Sequence, residues 1–291
     1  MSPFPRLRLT TGEAESAVRG LDAVDVVREA LTMPSDATGD ESVMSFDAAA
    51  DELLLYDRVT RQEWRLPAST AVRLWRACLC AAAARAFVAP GVITAGVIGA
   101  DAMDNASLVL LSRALPGLSH VALYDDEAPG PDGGTRPPRD VPGVRDVRTV
   151  RGGDDVVALA LMRSAREALL GADLVVLASN ATCVAGEWLA RGTVLVNATA
   201  QDVTDDLHKE VAHLVVDDPR LLSLAPGRRA ARMAEPPTRL GQLLGVGAVL
   251  RRHRDDTVLV DLYGAGLHQQ WFVTRLCRSA HVRGLGRRCG R

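Results

Sequence analysis

Beyond Gly91 the chain returns repeatedly to short aliphatic runs with no regular polar alternation: Val97-Ile98 before Gly99, His120 to Tyr124, ADLVVLAS (Ala172 to Ser179), GTVLVNA (Gly192 to Ala198) and HLVVDD (His213 to Asp218). A strand with one face in water alternates apolar and polar residues, so a strand that is apolar throughout is covered on both faces. Segments of helical length separate most of these runs. Buried strands between helices imply a parallel sheet, and the expected class is α/β, a Rossmann-type doubly wound sheet. A further strand is expected near Val147 to Val150 and a helix from Asp155 to Leu170, whereas EAPGPDGGTRPPRDVPG after Asp126 has no periodicity and reads as an exposed loop.

The first 90 residues follow a different pattern. Val24, Val27, Ala30 and Leu31 recur at helical spacing between Leu21 and Leu31, and short strands are expected at Val43 to Phe46, Leu53 to Tyr56 and Glu63 to Leu66. Together these strands read as a meander. An alanine-rich helix from about Ser69 to Val88 ends before Pro90, and a last helix is expected from Ala265 to His281.

Composition narrows the partners. A net charge of -2 with 4% aromatic residues provides no broad basic face, so nucleic acid is not an expected partner. The most apolar long segment, Ala68 to Ala89, is interrupted by Arg73, Arg76 and Arg85, and MSPFPRLRLTTGE has no apolar core for a signal peptide; the expectation is a cytoplasmic protein with no membrane partner. Cys78, Cys80, Cys183, Cys277 and Cys289 lack metal-ligand spacing and fit free thiols in a reducing compartment, so no metal is expected.

The segment GVIGADAMDN places Asp101 and Asp104 where the usual G-x-G-x-x-G turn carries its second and third glycines. Asp101 can accept hydrogen bonds from the free N–H groups of the following helix, and Asp104 takes the reciprocal place of a capping box. A carboxylate ~4 Å from a pyrophosphate oxygen would cost on the order of 1 to 4 kcal/mol. NAD or NADP binding through an ordinary phosphate cradle is therefore expected to be weakened.

The order of LTTGEAESAVRGLDAVDVVREAL, ASTAVRLWRACLCAAAARAFVAP, GVIG, HVALYDD, ADLVVLASNAT, EWLARGTVLVNATAQDVTDDLH, VVDDP, LGQLLG and VLVDLYGAGLHQQWFV resembles the ornithine cyclodeaminase and mu-crystallin family, nearest its 2,3-diaminopropionate-pathway amino acid dehydrogenases. The resemblance implies a dimerisation and substrate domain from residues 1–90 plus 263–291, and a dinucleotide-binding domain over 91–262. It also implies NAD(P)-dependent oxidation or reduction at the nitrogen-bearing carbon of an amino or imino acid, by a homodimer serving biosynthesis. An alternative expectation is a catalytically degenerate member that binds a small molecule or acts as a scaffold.

The resemblance also suggests site residues. Asp202, on the loop after Gly192 to Ala198, would face the nicotinamide and the substrate amine; a capping role before Thr204-Asp205-Asp206 is the alternative. Arg73 and Arg76 would meet the substrate's acid group. The cofactor would lie along Gly99, Ala100, Asp101, Ala102 and Met103, with Asp125 at the ribose and Ser179, Asn180 and Thr199 near the nicotinamide; Thr182 belongs to the same loop as Asn180. Two family positions are not kept. The only lysine is Lys209, far from the N-terminal sheet where the family presents one, and the family's C-terminal aspartate falls on Gln269.

Overall fold

The structure is a computed structural model that describes residues 5–33, 41–91, 93–99, 105–125, 144–152, 155–179, 184–199, 201–224, 226, 228–233, 237–246, 253–264 and 267–288. The chain divides into two compact units, residues 1–79 with 264–291, and residues 80–263.

The first unit begins with β1 (Arg6–Arg8) and two short helices, α1 (Thr11–Val18) and α2 (Ala23–Thr32). Each helix starts where a side chain takes up its free N–H groups. Thr10 and Glu13 form a capping box on α1, and Asp22 accepts from Val24 N and Asp25 N at 2.9 and 3.1 Å on α2. The meander follows as β2 (Ser42–Asp47), β3 (Glu52–Asp57) and β4 (Gln62–Pro67), with alternating burial that points Leu53, Leu55, Trp64 and Leu66 inward. Helix α3 (Ala68–Phe87) then leads towards the second unit, and α8 (Leu267–Val282) and β14 (Arg287–Arg288) return from it. The sheet order is β14-β1-β4-β3-β2, with only β1 and β4 parallel.

Helix α8 packs on α1, α2, β2 and β3. Its Phe272 ring lies 5.4 Å from that of Trp75, Thr274 Oγ1 is 2.9 Å from Ser42 Oγ, and Arg278 donates to both oxygens of buried Asp57 at 2.8 and 2.9 Å. Burial opposes ionisation of Asp57, but hydrogen bonds from Arg278, Val59 N and Thr60 outweigh it and hold the carboxyl below its ordinary pKa.

The second unit contains β5 (Ile93–Ile98), α4 (Asn105–Ala114), β6 (Leu118–Tyr124), β7 (Val144–Gly152), β8 (Asp155–Met162), α5 (Ala165–Leu169), β9 (Leu174–Leu177), β10 (Val194–Asn197), α6 (Asp205–Lys209), β11 (His213–Val216), β12 (Thr238–Arg239), α7 (Leu240–Val246) and β13 (Val258–Asp261). Its nine strands run β12-β11-β13-β10-β9-β5-β6-β8-β7, all parallel except the β7–β8 edge pair. The α/β doubly wound class is the observed one. The chain moves outward from β5 through β6 to β8, then crosses back to β9 on the other side of β5. The topological switch point therefore lies between β5 and β9, where ligands of such sheets bind outside the carboxyl ends.

One expected element is corrected. Residues 155–162 form strand β8, antiparallel to β7 and parallel to β6, and only Ala165–Leu169 of the expected helix is helical. The run VVALALM is apolar at every position and satisfies both periods, so its pairing partners decide its structure. The Pro-rich loop after Asp126 lies outside the described residues up to 143. Cys78, Cys80 and Cys277 are buried and not disulfide-bonded. Among the described residues no helix is long and apolar enough to cross a membrane.

Candidate functional site

The carboxyl edge of the second unit's sheet is where apolar strands give way to polar residues. Pairing places Ile98, Leu177, Asn197, Asp261 and Val216 in one row across β5, β9, β10, β13 and β11. Hydrogen bonds from Ala178 N to Ile98 O, Ala198 N to Leu177 O and Leu262 N to Asn197 O, at 2.8, 2.9 and 2.8 Å, extend the ladder by one residue. Ser179, Thr199 and Tyr263 consequently stand next along on three adjacent strands, ~4.8 Å apart per strand. All three carry a hydroxyl.

At the switch point Gly99 has φ +94°, and a Cβ there would come within 2.6 Å of Ser179 Cβ and N. Only glycine combines that backbone with such an approach. Gly99 N also donates to Tyr124 O at 2.8 Å, tying the start of the turn to the end of β6, just before half-buried Asp125. Ser179 Oγ is shut off from solvent and has no hydrogen-bond partner among the described residues.

Beside this point lies a buried polar cluster. Asn197 Nδ2 donates to Asp261 Oδ1 at 2.8 Å and to Gln201 O at 2.9 Å, while Asn197 Oδ1 accepts from Thr199 N and Oγ1 at 3.1 and 2.7 Å. Arg228, only 5% exposed, donates from Nη1 to Thr199 O at 3.0 Å and from Nη2 to Asp261 Oδ1, and its guanidinium carbon sits 4.4 Å from the centre of the Tyr263 ring. Arg228 Nε is buried with no hydrogen-bond partner among the described residues, and the Tyr263 phenol lies against the Asp261 carboxyl, so that each shifts the other's proton affinity. Burial pushes the Asp261 carboxyl up to about 6; Arg228 pulls the other way and the charge of Asp202 adds to the rise. Burial and the neighbouring Asp261 likewise raise the Tyr263 phenol.

Asp202 stands at the rim of this cluster. Its Oδ2 accepts from Arg229 N at 2.7 Å and its Oδ1 is 3.4 Å from His208 Nε2. The cap of α6 is Thr204, whose Oγ1 accepts from Leu207 N at 3.4 Å, so the capping alternative for Asp202 is corrected. Asp202 instead ties the loop after β10 to the turn carrying Arg228 and Arg229.

The expected site residues fall into three groups. Gly99, Ser179, Thr199 and Asp202 gather on the carboxyl edge, and Asp125 ends β6 farther along it. Arg73 and Arg76 belong to α3 in the first unit; Arg73 Nη2 donates to Glu15 Oε1 at 2.9 Å, and exposed Arg76 has its Nε 3.5 Å from where a Cβ on Gly264 would stand. Ala100, Asp101, Ala102, Met103, Asp104, Asn180 and Thr182 lie outside the described residues, and the self-capping expectation lies there with them. Asn197, Asp261 and Tyr263 had a usable signal, because polar residues that close apolar parallel strands point to the ligand edge. Arg228 had none, since APGRRAARMAEP carries no periodicity.

No protein-family model and no curated protein matches the sequence. Solved structures match the fold. CmnK aligns over 99% of both chains with a TM-score of 0.73 at 16% identity. The Δ1-pyrroline-2-carboxylate reductase of Thermococcus litoralis, solved with NADH and L-proline, aligns over 97% of this chain and 100% of its own with a TM-score of 0.67 at 13% identity. A probable ornithine cyclodeaminase from Bordetella pertussis Tohama I gives 0.66 at 18% identity, over 96% and 99%. At these identities the likeness is one of fold, and the fold implied by the family resemblance is the fold observed.

Proposed function

We propose that this chain is an oxidoreductase that uses a nicotinamide dinucleotide to oxidise or reduce the nitrogen-bearing carbon of an amino or imino acid. The observation that carries the reading is the Gly99–Ser179 contact at the switch point, immediately beside the polar cluster of β10 and β13. A backbone that only glycine can adopt, at the head of the first β-to-α turn, fits the place where a dinucleotide crosses the sheet edge. Asp125 fits the ribose, where a carboxylate accepts from hydroxyls and repels a 2′-phosphate; NAD is the preferred cofactor on that ground. A Thermococcus reductase with the same fold holds NADH and L-proline, which supports the pairing of cofactor and substrate class.

The bound nicotinamide would supply or accept hydride. The chain's own contribution is to hold the substrate and manage its proton. Asp202, gripped through Oδ2 by Arg229 N, keeps Oδ1 for a substrate ammonium or for proton transfer, with His208 at 3.4 Å as its neighbour. Exposed Val43, Phe46 and Val59 on the first unit support pairing with a second copy, which sedimentation would measure.

Calorimetric titration with NADH and NADPH tests the reading, with tighter binding of NADH expected. Absorbance of the reduced nicotinamide over a panel of amino and imino acids tests turnover, and Asp202→Asn should lower it by roughly 100- to 10,000-fold with the fold intact. A second reading, a binding protein without turnover, is favoured by one observation: Asp202 already fastens two loops together. Absence of both nucleotide binding and turnover would select it.

A further inference from the structure

We infer that His208 is a positioning residue for Asp202, donating from Nε2 to Oδ1 so that the carboxylate presents a fixed oxygen to the substrate's nitrogen; the inference rests on the oxidoreductase reading above. Asp202 is held at both oxygens: Arg229 N donates to Oδ2 at 2.7 Å, and His208 Nε2 stands 3.4 Å from Oδ1. An ionised carboxylate can only accept, so the ring proton of this pair sits on Nε2. The Arg229 guanidinium turns to Asp205 Oδ1 instead, at 2.7 Å. Among the described residues His208 is the one side chain that pairs with Asp202.

The ring is better fixed than the acid it meets. The His208 side chain is 8% exposed and that of Asp202 27%, so a solute meets the carboxylate before the imidazole. Helix α6 carries the ring and is itself fastened twice. Fully buried Leu207 shares a core cluster with Leu177, Val184 and Leu195, and Thr204 Oγ1 donates to Val184 O at 3.1 Å. Asp202, by contrast, lies on a loop and has two rotatable side-chain bonds. A reacting group misplaced by about 1 Å loses about 100-fold in rate, which is what a brace on a loop acid prevents. At 3.4 Å the contact is longer than the usual ~2.7 to 3.2 Å; hydrogen bonds between catalytic groups are often long in free proteins and tighten around the substrate.

The test uses the full chain with NAD and L-alanine, L-proline and L-ornithine, following whichever amino acid wild type turns over fastest. His208→Leu should lower kcat about ten- to hundredfold with KM nearly unchanged, because the oriented oxygen matters in the transition state. His208→Gln, whose amide N–H reaches the place of Nε2, should restore most of the rate, whereas the shorter amide of His208→Asn should not. The asparagine variant also decides the matter if leucine prevents folding. In the Asp202→Asn background His208→Leu should have little further effect, since a residue that acts through the carboxylate has nothing left to position. Melting temperature and calorimetric NADH affinity should stay near wild type in all of these proteins. The inference is overturned if the leucine and asparagine variants keep the wild-type kcat, or if His208→Leu lowers the rate equally in both backgrounds. It is also overturned if the rate falls only in step with the melting temperature, as a latch between loops would require, or if glutamine does no better than leucine. In those outcomes wild type and Asp202→Asn still report on the oxidoreductase reading separately; a wild type without turnover removes that reading and this inference together.

Discussion

Asp261 has an arginine on one oxygen and almost no water around it, and these two facts pull its proton affinity in opposite directions. Burial prevails, raising the carboxyl from 3.8 to about 6. A folded-state pKa above the unfolded one means that the native protein holds the proton longer. The associated stability is therefore complete below about pH 4 and is lost as pH rises through 6. The loss is about 3 kcal/mol, since a tenfold change in proton affinity corresponds to ~1.4 kcal/mol. Urea denaturation at pH 4.5 and pH 7 should show wild type losing stability relative to Asp261→Asn, which has no proton to release. Gly99 gives a second prediction at this scale. With φ +94° and Ser179 within 2.6 Å of where an added methyl would stand, Gly99→Ala should lower stability by more than about 1 kcal/mol and weaken NADH binding, as read by melting temperature and calorimetry.

At the scale of elements, what is legible follows from period and punctuation. Strands expected at Val43 to Phe46, Leu53 to Tyr56 and Glu63 to Leu66 are β2, β3 and β4 with one residue added at each end, because alternation marks a half-buried meander clearly. Helix α1 is not among the expected elements, although Thr10 and Glu13 spell its capping box; the segment is short and its apolar face is mostly alanine. Thr10→Ala and Asp22→Ala should each destabilise the first unit by ~1 kcal/mol in chemical denaturation, since each strands N–H groups at a helix start. Strand β8 differs from the expected helix because a uniformly apolar run carries no period, and the pairing that settles it comes from residues distant in sequence. The candidate site divides along the same line. Gly99, Ser179, Thr199 and Asp202 follow strands and can be located from them, whereas Arg228 reaches Asp261 across 33 residues of sequence that no local pattern connects.

For the molecule as a whole, the first unit is made from the two ends of the described chain and the second from its middle. Buried Phe272, Val273, Leu276, Cys277 and Ala280 of α8 complete the core begun by residues before 80, and Arg278 neutralises Asp57. Deleting residues 265–291 should therefore cost solubility and the first unit's cooperative melting, as followed by circular dichroism and gel filtration; a truncated chain that melts like wild type would show that α8 is dispensable. The arrangement also sets an order of events on the ribosome. Residues 80–263 leave the exit tunnel with every strand of their sheet in hand, but the meander made before them waits for α8, roughly 10 to 40 s later at ~5 to 20 residues per second. During that interval its apolar face lacks the cover of α8 and Asp57 has no arginine, which makes the nascent chain a client for holding chaperones. Stalled chains ending just before and just after α8 should consequently differ in protease resistance over their first 79 residues and agree over the middle of the sequence.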